Sequence, residues 1–427
     1  MLLDFTVENF RSIKGAETLS AVAASKSKAK PNNTENRRRV KSDDEIAQPF
    51  HIESWDIDVL PVIAIFGANA SGKSNVLKAL EFLLKYMILG NYARGVERIP
   101  FKLNFQTINS PSYFKLRTAF NGTIYTYSLV LNSVRILVEK LEYTLVSTKR
   151  ERLLFSRTWN GEQQEFDWKN GSDFSGSHTQ LEKSIQDYEP FISLVLTKLD
   201  IKVVTPLSEW LRLGQLGTNF RNETLLDGLD NYVSKPYIPQ ASEVFVKTKQ
   251  LLLKFDTGLF DIETKKSEEG KDYQVYALHK AENGEIVRWK FEEESLGTRD
   301  LLSLAFKIQS RMQSSSLLIA DEFGSNLHPN ITSEIVQFFQ NPKTNPNRTQ
   351  LIFTSHDNTL QRNNLLRRDQ IWFTQKRPDQ STELYSLSDF KVRNDLAIDK
   401  AYLDGRFGAV PFISDEDDFM PVGNGNG

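Results

Sequence analysis

An α/β fold is predicted for this chain: a mainly parallel sheet flanked by helices, an antiparallel β part and a helical insertion. Three observations predict it. An early apolar strand passes through a glycine-rich loop into a helical pattern. Two apolar strands far downstream end in polar and acidic residues, where open α/β sheets place ligands. The stretch between them alternates apolar and polar residues and then changes to helical spacing. With 427 residues, 39% of them apolar, the chain can bury a large core in two or three units.

Leu2 to Phe10 reads as the first strand, with Arg11 and Lys14 in the turn behind it. From Ser25 to Glu45 the chain is polar, and its basic run Arg37-Arg38-Arg39 is followed at once by Asp43-Asp44-Glu45, the pattern of a solvated loop. Val59 to Phe66 is a buried strand. Gly67-Ala68-Asn69-Ala70-Ser71-Gly72-Lys73-Ser74 follows it and opens a helix with Val76, Leu80, Leu83 and Met87 on one face. Glycines at both ends let the loop curl until successive amide N–H groups face one oxyanion, with the helix dipole behind them. Strand, loop and helix agree on a phosphate-binding loop, in which Lys73 reaches the β/γ-phosphates of a nucleotide and the Ser74 hydroxyl holds Mg²⁺.

Between Tyr113 and Leu145 apolar residues alternate around a type I′ turn signal at Asn121-Gly122, which predicts an antiparallel meander. Gln180 to Phe255 has helical spacings, among them Ile185, Phe191, Leu194 and Val195 and later Val244, Leu251, Leu252 and Phe255, without sustained heptads. Alternation returns from Phe260 to Phe291, with a hairpin at Asn283-Gly284. The expected division is a head built from 1–105 and 256–412, a meander at 106–175, a helical insertion at 176–255 and an acidic flexible tail at 413–427 that contains Asp415-Glu416-Asp417-Asp418.

The second half of the nucleotide site begins with Glu294-Ser295-Leu296-Gly297-Thr298-Arg299, which opens a helix with Leu301, Ala305, Ile308 and Met312 on one face. Ser-x-Gly at a helix start can bind an anion, although Ser is also an ordinary N-cap. Next comes the apolar strand Leu317 to Ala320, ending in Asp321-Glu322. Asp321 orients Mg²⁺ through water, and Glu322 takes the proton of the attacking water, since hydrolysis needs a base in line with the γ-phosphorus. Ser325 to Pro329 follows, and the strand Leu351 to Thr354 ends in Ser355-His356-Asp357.

Composition narrows the alternatives. Lys plus Arg (53) nearly balance Asp plus Glu (55), so no global positive field advertises nucleic acid or anionic membrane as partner. Cysteine is absent, which removes disulfides and thiolate metal sites and suits a reducing compartment. With no basic n-region and no run near the length of a membrane span, the cytoplasm is the expected location, with no membrane partner.

The order of these features resembles the ATP-binding-cassette (ABC) ATPases, in particular the branch of the SMC, Rad50 and RecF proteins. The resemblance rests on Val7-Glu8-Asn9-Phe10-Arg11-Ser12, the phosphate loop, the signature-like Ser295-Leu296-Gly297, the Asp321-Glu322 pair and the switch-like His356, with Ser325 to His328 at the D-loop position. It implies an ABC-ATPase head with ATP and Mg²⁺ as cofactors. Gly67, Asn69, Ala70, Ser71, Gly72, Lys73, Ser74, Asn75 and Arg11 are then the nucleotide residues of one copy, while Ser295 and Gly297 of another copy bind the same γ-phosphate. Lys73, the general base Glu322 and the γ-phosphate sensor His356 serve catalysis, and Ser74 and Asp321 serve the metal. Two departures stand out: the signature is divergent, and only Gln106 offers itself for the Q-loop.

A narrower resemblance spans almost the whole chain. Pro61 to Lys73, Pro100-Phe101-Lys102-Leu103, Glu293 to Leu304, Asp321 to Pro329 and Tyr402 to Pro411 are similar to the stand-alone bacterial ATPases of the RloA, AbiL and PARIS AriA type, found in anti-phage defence loci. That similarity implies a sensor or scaffold that assembles as dimers or larger rings and controls a separately encoded effector, such as a Toprim or HNH nuclease. Too few residues follow His356 to expect a Toprim domain on this chain. The alternative is a RecF-like repair ATPase that clamps DNA under ATP control, with Arg37, Arg38, Arg39, Lys149, Arg150 and Arg152 as basic candidates and a salt-dependent affinity as its mark. A transporter subunit fits poorly with the interrupted cassette. Thr197-Lys198-Leu199-Asp200, a match to a guanine-specificity motif, stands in the wrong order relative to Asp321-x-x-Gly324 for a GTPase.

Overall fold

The computed structural model of the protein describes residues 1–24, 47–90, 97–174, 178–213, 239–255, 258–266, 273–362, 365–393 and 396–411. The run Arg37 to Arg39 and the acidic stretch Asp415 to Asp418 lie outside the described residues.

The chain opens with β1 (Leu2–Glu8) and β2 (Glu17–Ser20), then a short ribbon β3 (Phe50–Ile52) and β4 (Ile57–Val59). β5 (Val62–Phe66) runs through the phosphate loop into α1 (Lys73–Leu89), and the short α2 (Phe105–Asn109) leads to the meander. Its strands are β6 (Ser112–Phe120), β7 (Thr123–Leu131), β8 (Ile136–Leu145), β9 (Glu151–Asn160) and β10 (Glu165–Asn170). Among the described residues four helices follow: α3 (Thr179–Ser184), α4 (Phe191–Lys198), α5 (Thr205–Leu213) and α6 (Pro239–Leu253). A three-stranded sheet, β11 (Asp261–Lys266), β12 (Tyr273–Lys280) and β13 (Ile286–Lys290), precedes α7 (Leu296–Arg311). The remaining elements are β14 (Leu317–Ala320), α8 (Pro329–Gln340), β15 (Gln350–Thr354), β16 (Ile371–Lys376), β17 (Thr382–Ser386) and α9 (Ile398–Leu403).

Two large sheets result. One is antiparallel, in the order β10-β9-β8-β7-β6-β1-β2. Because β1 pairs with β6, the N-terminal strands and the meander form a single sheet. The other has the order β14-β15-β5-β16-β17, parallel except for β17. β5 is apolar on both faces, as a central parallel strand must be. Its alternation divides the core: Ile63 and Ile65 pack with Leu3, Phe5, Leu77 and Leu80, so α1 sits between the two sheets. Val62, Ala64 and Phe66 pack on the opposite side with Leu301, Ile308, Val336 and Phe339 of α7 and α8. Each such fully buried side chain contributes about 1.5–3 kcal/mol, so the strand carrying the loop is held rigidly from both sides.

The predicted turns have their reasons in the backbone. Asn121 and Gly122 both take positive φ (46° and 75°), as a type I′ turn requires between β6 and β7. The second hairpin is longer than a two-residue turn. Only Gly284 is left-handed (φ 83°), while the Asn283 side chain accepts the Glu285 N–H at 3.0 Å and opens the loop to five residues between β12 and β13. No helix among the described residues is long and apolar enough to cross a membrane.

Candidate functional site

Parallel register brings the chemistry together. Ala320 pairs with Phe353, and Thr354 pairs with Ile65, so β14, β15 and β5 end in one row. Asp321, Ser355-His356 and Gly67 are the residues that leave that row, on the edge where an open α/β sheet binds its ligand.

The phosphate loop is shaped by what lies beneath it. Gly67 (φ 152°) and Gly72 (φ 112°) are both at backbone angles that favour glycine. A Cβ on Gly67 would come within 2.4 Å of the Thr374 carbonyl oxygen, and one on Gly72 within 2.0 Å of Thr382 Oγ1. A relay of hydroxyls fastens the loop from below. Asn75 Nδ2 donates to Ser12 Oγ (2.7 Å), Ser12 Oγ lies 2.7 Å from Thr382 Oγ1, and that hydroxyl donates to the Ser71 carbonyl (2.8 Å). Ser71 Oγ is 2.6 Å from Thr374 Oγ1. Asn69 and Ala70, at the tip, are exposed, and Ala70 is left-handed (φ 61°).

Lys73 is buried inside the curl, with Nζ donating to the Gly67 and Ala68 carbonyls at 2.8 and 3.0 Å. Desolvation lowers its pKa, against the opposing pull of Asp321 and Glu322. Ser74 Oγ donates to Asp321 Oδ1 at 2.8 Å, and Thr354 Oγ1 donates to the same oxygen at 2.6 Å. Thr354 Oγ1 also accepts the Glu322 N–H at 2.8 Å, which helps hold Glu322 at a left-handed φ of 53°. One threonine thus joins the two acidic residues and, through Asp321, the first turn of α1. Hydroxyl and carboxylate oxygens are the donors a hard dication takes, and this pair leaves most of its coordination to phosphate and water, as Mg²⁺ prefers. The loop, curled around the Lys73 ammonium at the start of α1, fits a bound triphosphate.

His356 belongs to the same electrostatic cluster. Its pKa is lowered, first by desolvation and then by Lys73, with Glu322 and Asp321 acting in the opposite sense. The ring is therefore neutral at neutral pH, able to donate one N–H and accept at the other nitrogen.

Ser295 and Gly297 stand apart from the loop. Ser295 caps α7, its Oγ accepting the Thr298 N–H at 3.2 Å, and it is exposed beside exposed Leu296. Gly297 lies over the turn that follows Glu322, where a Cβ would sit 3.1 Å from the Asn326 carbonyl oxygen. Asn326 Nδ2 donates to Asp300 Oδ2 at 2.6 Å, and Asp300, Leu304 and residues 321–327 line a shallow pocket between α7 and that turn. Arg11 is left-handed (φ 52°), its guanidinium 5.7 Å from the Phe10 ring centroid and its Nε buried without a hydrogen-bond partner. Gln106 is exposed on α2, a segment held by Asn9: Oδ1 accepts the Phe101 N–H, and Nδ2 reaches the Thr107, Ser110 and Pro111 carbonyls. Of the basic candidates at the β8–β9 turn, Arg152 is paired with Asp173 at 3.2 Å.

Sequence reasoning passed over Thr354, Thr374 and Thr382 as supports of the site, and took Ser12 only as the last residue of the Val7 to Ser12 motif. Thr354 left a usable signal, a hydroxyl closing the strand next to the Asp321 strand. Thr374 and Thr382 left none, because their role depends on a pairing between residues some three hundred apart.

Comparison with known proteins adds a family. The family model described as "AAA domain, putative AbiEii toxin, Type IV TA system" matches residues 62–362, an interval that contains the phosphate loop, Ser295, Gly297, Asp321, Glu322, Thr354 and His356 but not Arg11, Ser12, Arg37 to Arg39, Thr374 or Thr382. No curated protein matches the chain. Among solved structures, the Smc head domain with an extended coiled coil, bound to the C-terminal domain of ScpA and derived from Pyrococcus furiosus, is similar at 12% identity and a TM-score of 0.36, over 95% of this chain and 98% of that one.

Proposed function

The chain belongs to the family described as "AAA domain, putative AbiEii toxin, Type IV TA system", and from that premise we propose that it is an ABC-type ATPase that closes on a second copy of itself around ATP. In this reading it is a cytoplasmic switch that controls a separately encoded effector, of nuclease class, in defence against phage. The family description, with its toxin and TA system, favours defence over DNA repair.

The observation that carries the reading is the hydrogen-bonded line Ser74–Asp321–Thr354–Glu322 at the mouth of the loop. Loop amides and Lys73 offset the charge of the β- and γ-phosphates. Ser74 and Asp321 would hold Mg²⁺, which supplies charge neutralisation and orientation to the phosphates when bound. Glu322, its backbone N–H held by Thr354, would take the proton of a water attacking the γ-phosphorus, and neutral His356 would donate a hydrogen bond toward that phosphate. Exposed Ser295 and half-buried Gly297, at the start of α7, would supply the other wall from the second copy.

The test is sedimentation of Glu322→Gln protein, in which turnover is disabled, with ATP and Mg²⁺ or with ADP. A two-copy species is expected with ATP alone. A single-chain species at every concentration overturns the reading.

A further inference from the structure

Immediately before the signature-like Ser295 stands a carboxylate that ought to hinder it. Glu294 lies one residue outside the first turn of the N-cap, where a triphosphate from a second copy would bring several negative charges toward the positive end of α7. A mobile acidic side chain there would repel that phosphate. The structure turns it away: Glu294 Oε1 accepts from Trp289 Nε1 at 2.6 Å and lies 2.7 Å from His279 Nε2, and its side chain is only 8% exposed. Both donors belong to the small three-stranded sheet, Trp289 on β13 and His279 on β12, and their rings stack at 4.0 Å with planes 19° apart. Trp Nε1 can only donate, and a carboxylate only accepts, so one oxygen takes two N–H groups. Ser295 itself is exposed, so its position depends on this anchor before it and on the first turn of α7 after it.

We propose that His279 and Trp289 are positioning residues for the signature end, holding the Glu294 carboxylate off the phosphate seat and thereby setting how tightly one copy closes on the nucleotide of the other. The inference rests on the two-copy reading of the site. It also assigns the small sheet a role: whatever shifts β12 against β13 alters closure without touching the phosphate loop.

The experiment measures ATP-dependent self-association of the full chain in the Glu322→Gln background, beside the affinity of the single chain for a fluorescent ATP analogue. His279→Ala is expected to weaken association at least tenfold and to leave analogue affinity unchanged. Trp289→Phe, which removes one N–H and keeps the stacked ring, is expected to act in the same direction and covers the case in which His279→Ala fails to fold. Adding Glu294→Gln to His279→Ala is expected to restore association, because the released charge is gone; a purely structural role for the trio predicts no such rescue. Association unchanged in His279→Ala or Trp289→Phe, or unrescued in the folded double variant, overturns this inference alone. A Glu322→Gln parent that never associates overturns the two-copy reading and takes this inference with it.

Discussion

The two ends of the candidate site are built differently. The phosphate-loop end is buried and cross-braced: Lys73 lies inside the curl, and hydroxyls from three separate segments, Ser12, Thr374 and Thr382, fasten the loop from below. The signature end is exposed and lightly held: Ser295 Oγ bonds to Thr298 within its own first turn, and Leu296 is 59% exposed. A rigid, pre-shaped cradle can bind nucleotide within one chain, because its amides and lysine are already ordered and little entropy is lost on binding. A lone capped helix start at the surface gains its full value only when a second surface meets it. The contrast teaches that the loop end is ordered within one chain, whereas the signature end is open, the arrangement that the proposed two-copy closure would use.

Four substitutions break or sharpen this contrast. Glu322→Gln is expected to have the largest effect, a fall in ATP turnover of about 10²–10⁴-fold with binding retained, measured as phosphate release under saturating ATP. An unchanged rate removes Glu322 as the base. Lys73→Ala should weaken ATP binding about 100-fold, the loss of charge-assisted bonds worth roughly 1.5–3 kcal/mol each, read by equilibrium titration. Binding as tight as in the parent would mean that the loop is not the nucleotide cradle.

At the next level, Thr354→Val leaves the Glu322 N–H and Asp321 Oδ1 without their shared partner and should cost about 1–3 kcal/mol of stability, together with a drop in turnover. Thermal melts and phosphate release measured side by side check both, and a variant that keeps its full rate would show that Thr354 does not place the base. The smallest effect concerns pH. His356 is held below its ordinary 6.5, so as pH falls through that value the unfolded chain takes up a proton that the folded one refuses, and stability declines. His356→Gln should flatten this part of the decline in melts run from pH 7 downward; an identical slope would place His356 outside the cluster.

Legibility in the sequence followed distance along the chain. The phosphate loop was readable because strand, loop and helix are contiguous, and the Asp321-Glu322 pair because a buried strand ends in two acids. Asn121-Gly122 announced its hairpin through the positive φ that both residues tolerate. Asn9, in contrast, read as part of a motif and proved to be the fastening of residues 101–111, a task set by neighbours about a hundred residues on. Glu294 read only as the residue that precedes Ser295 in its motif, since its two donors reach it only after β12 and β13 have paired.

Local chemistry by itself determined the strands, the glycine-shaped loop, the caps and the acidic pair, because each depends on backbone preference and side-chain type within a few neighbouring residues. Tertiary structure alone decided which hydroxyls brace the loop, that one threonine ties Asp321 to Glu322, and that a histidine and a tryptophan turn Glu294 aside. These are pairings between segments far apart in the chain, selected by strand register and by the cost of leaving a buried polar group without a partner, and no short stretch of residues encodes either.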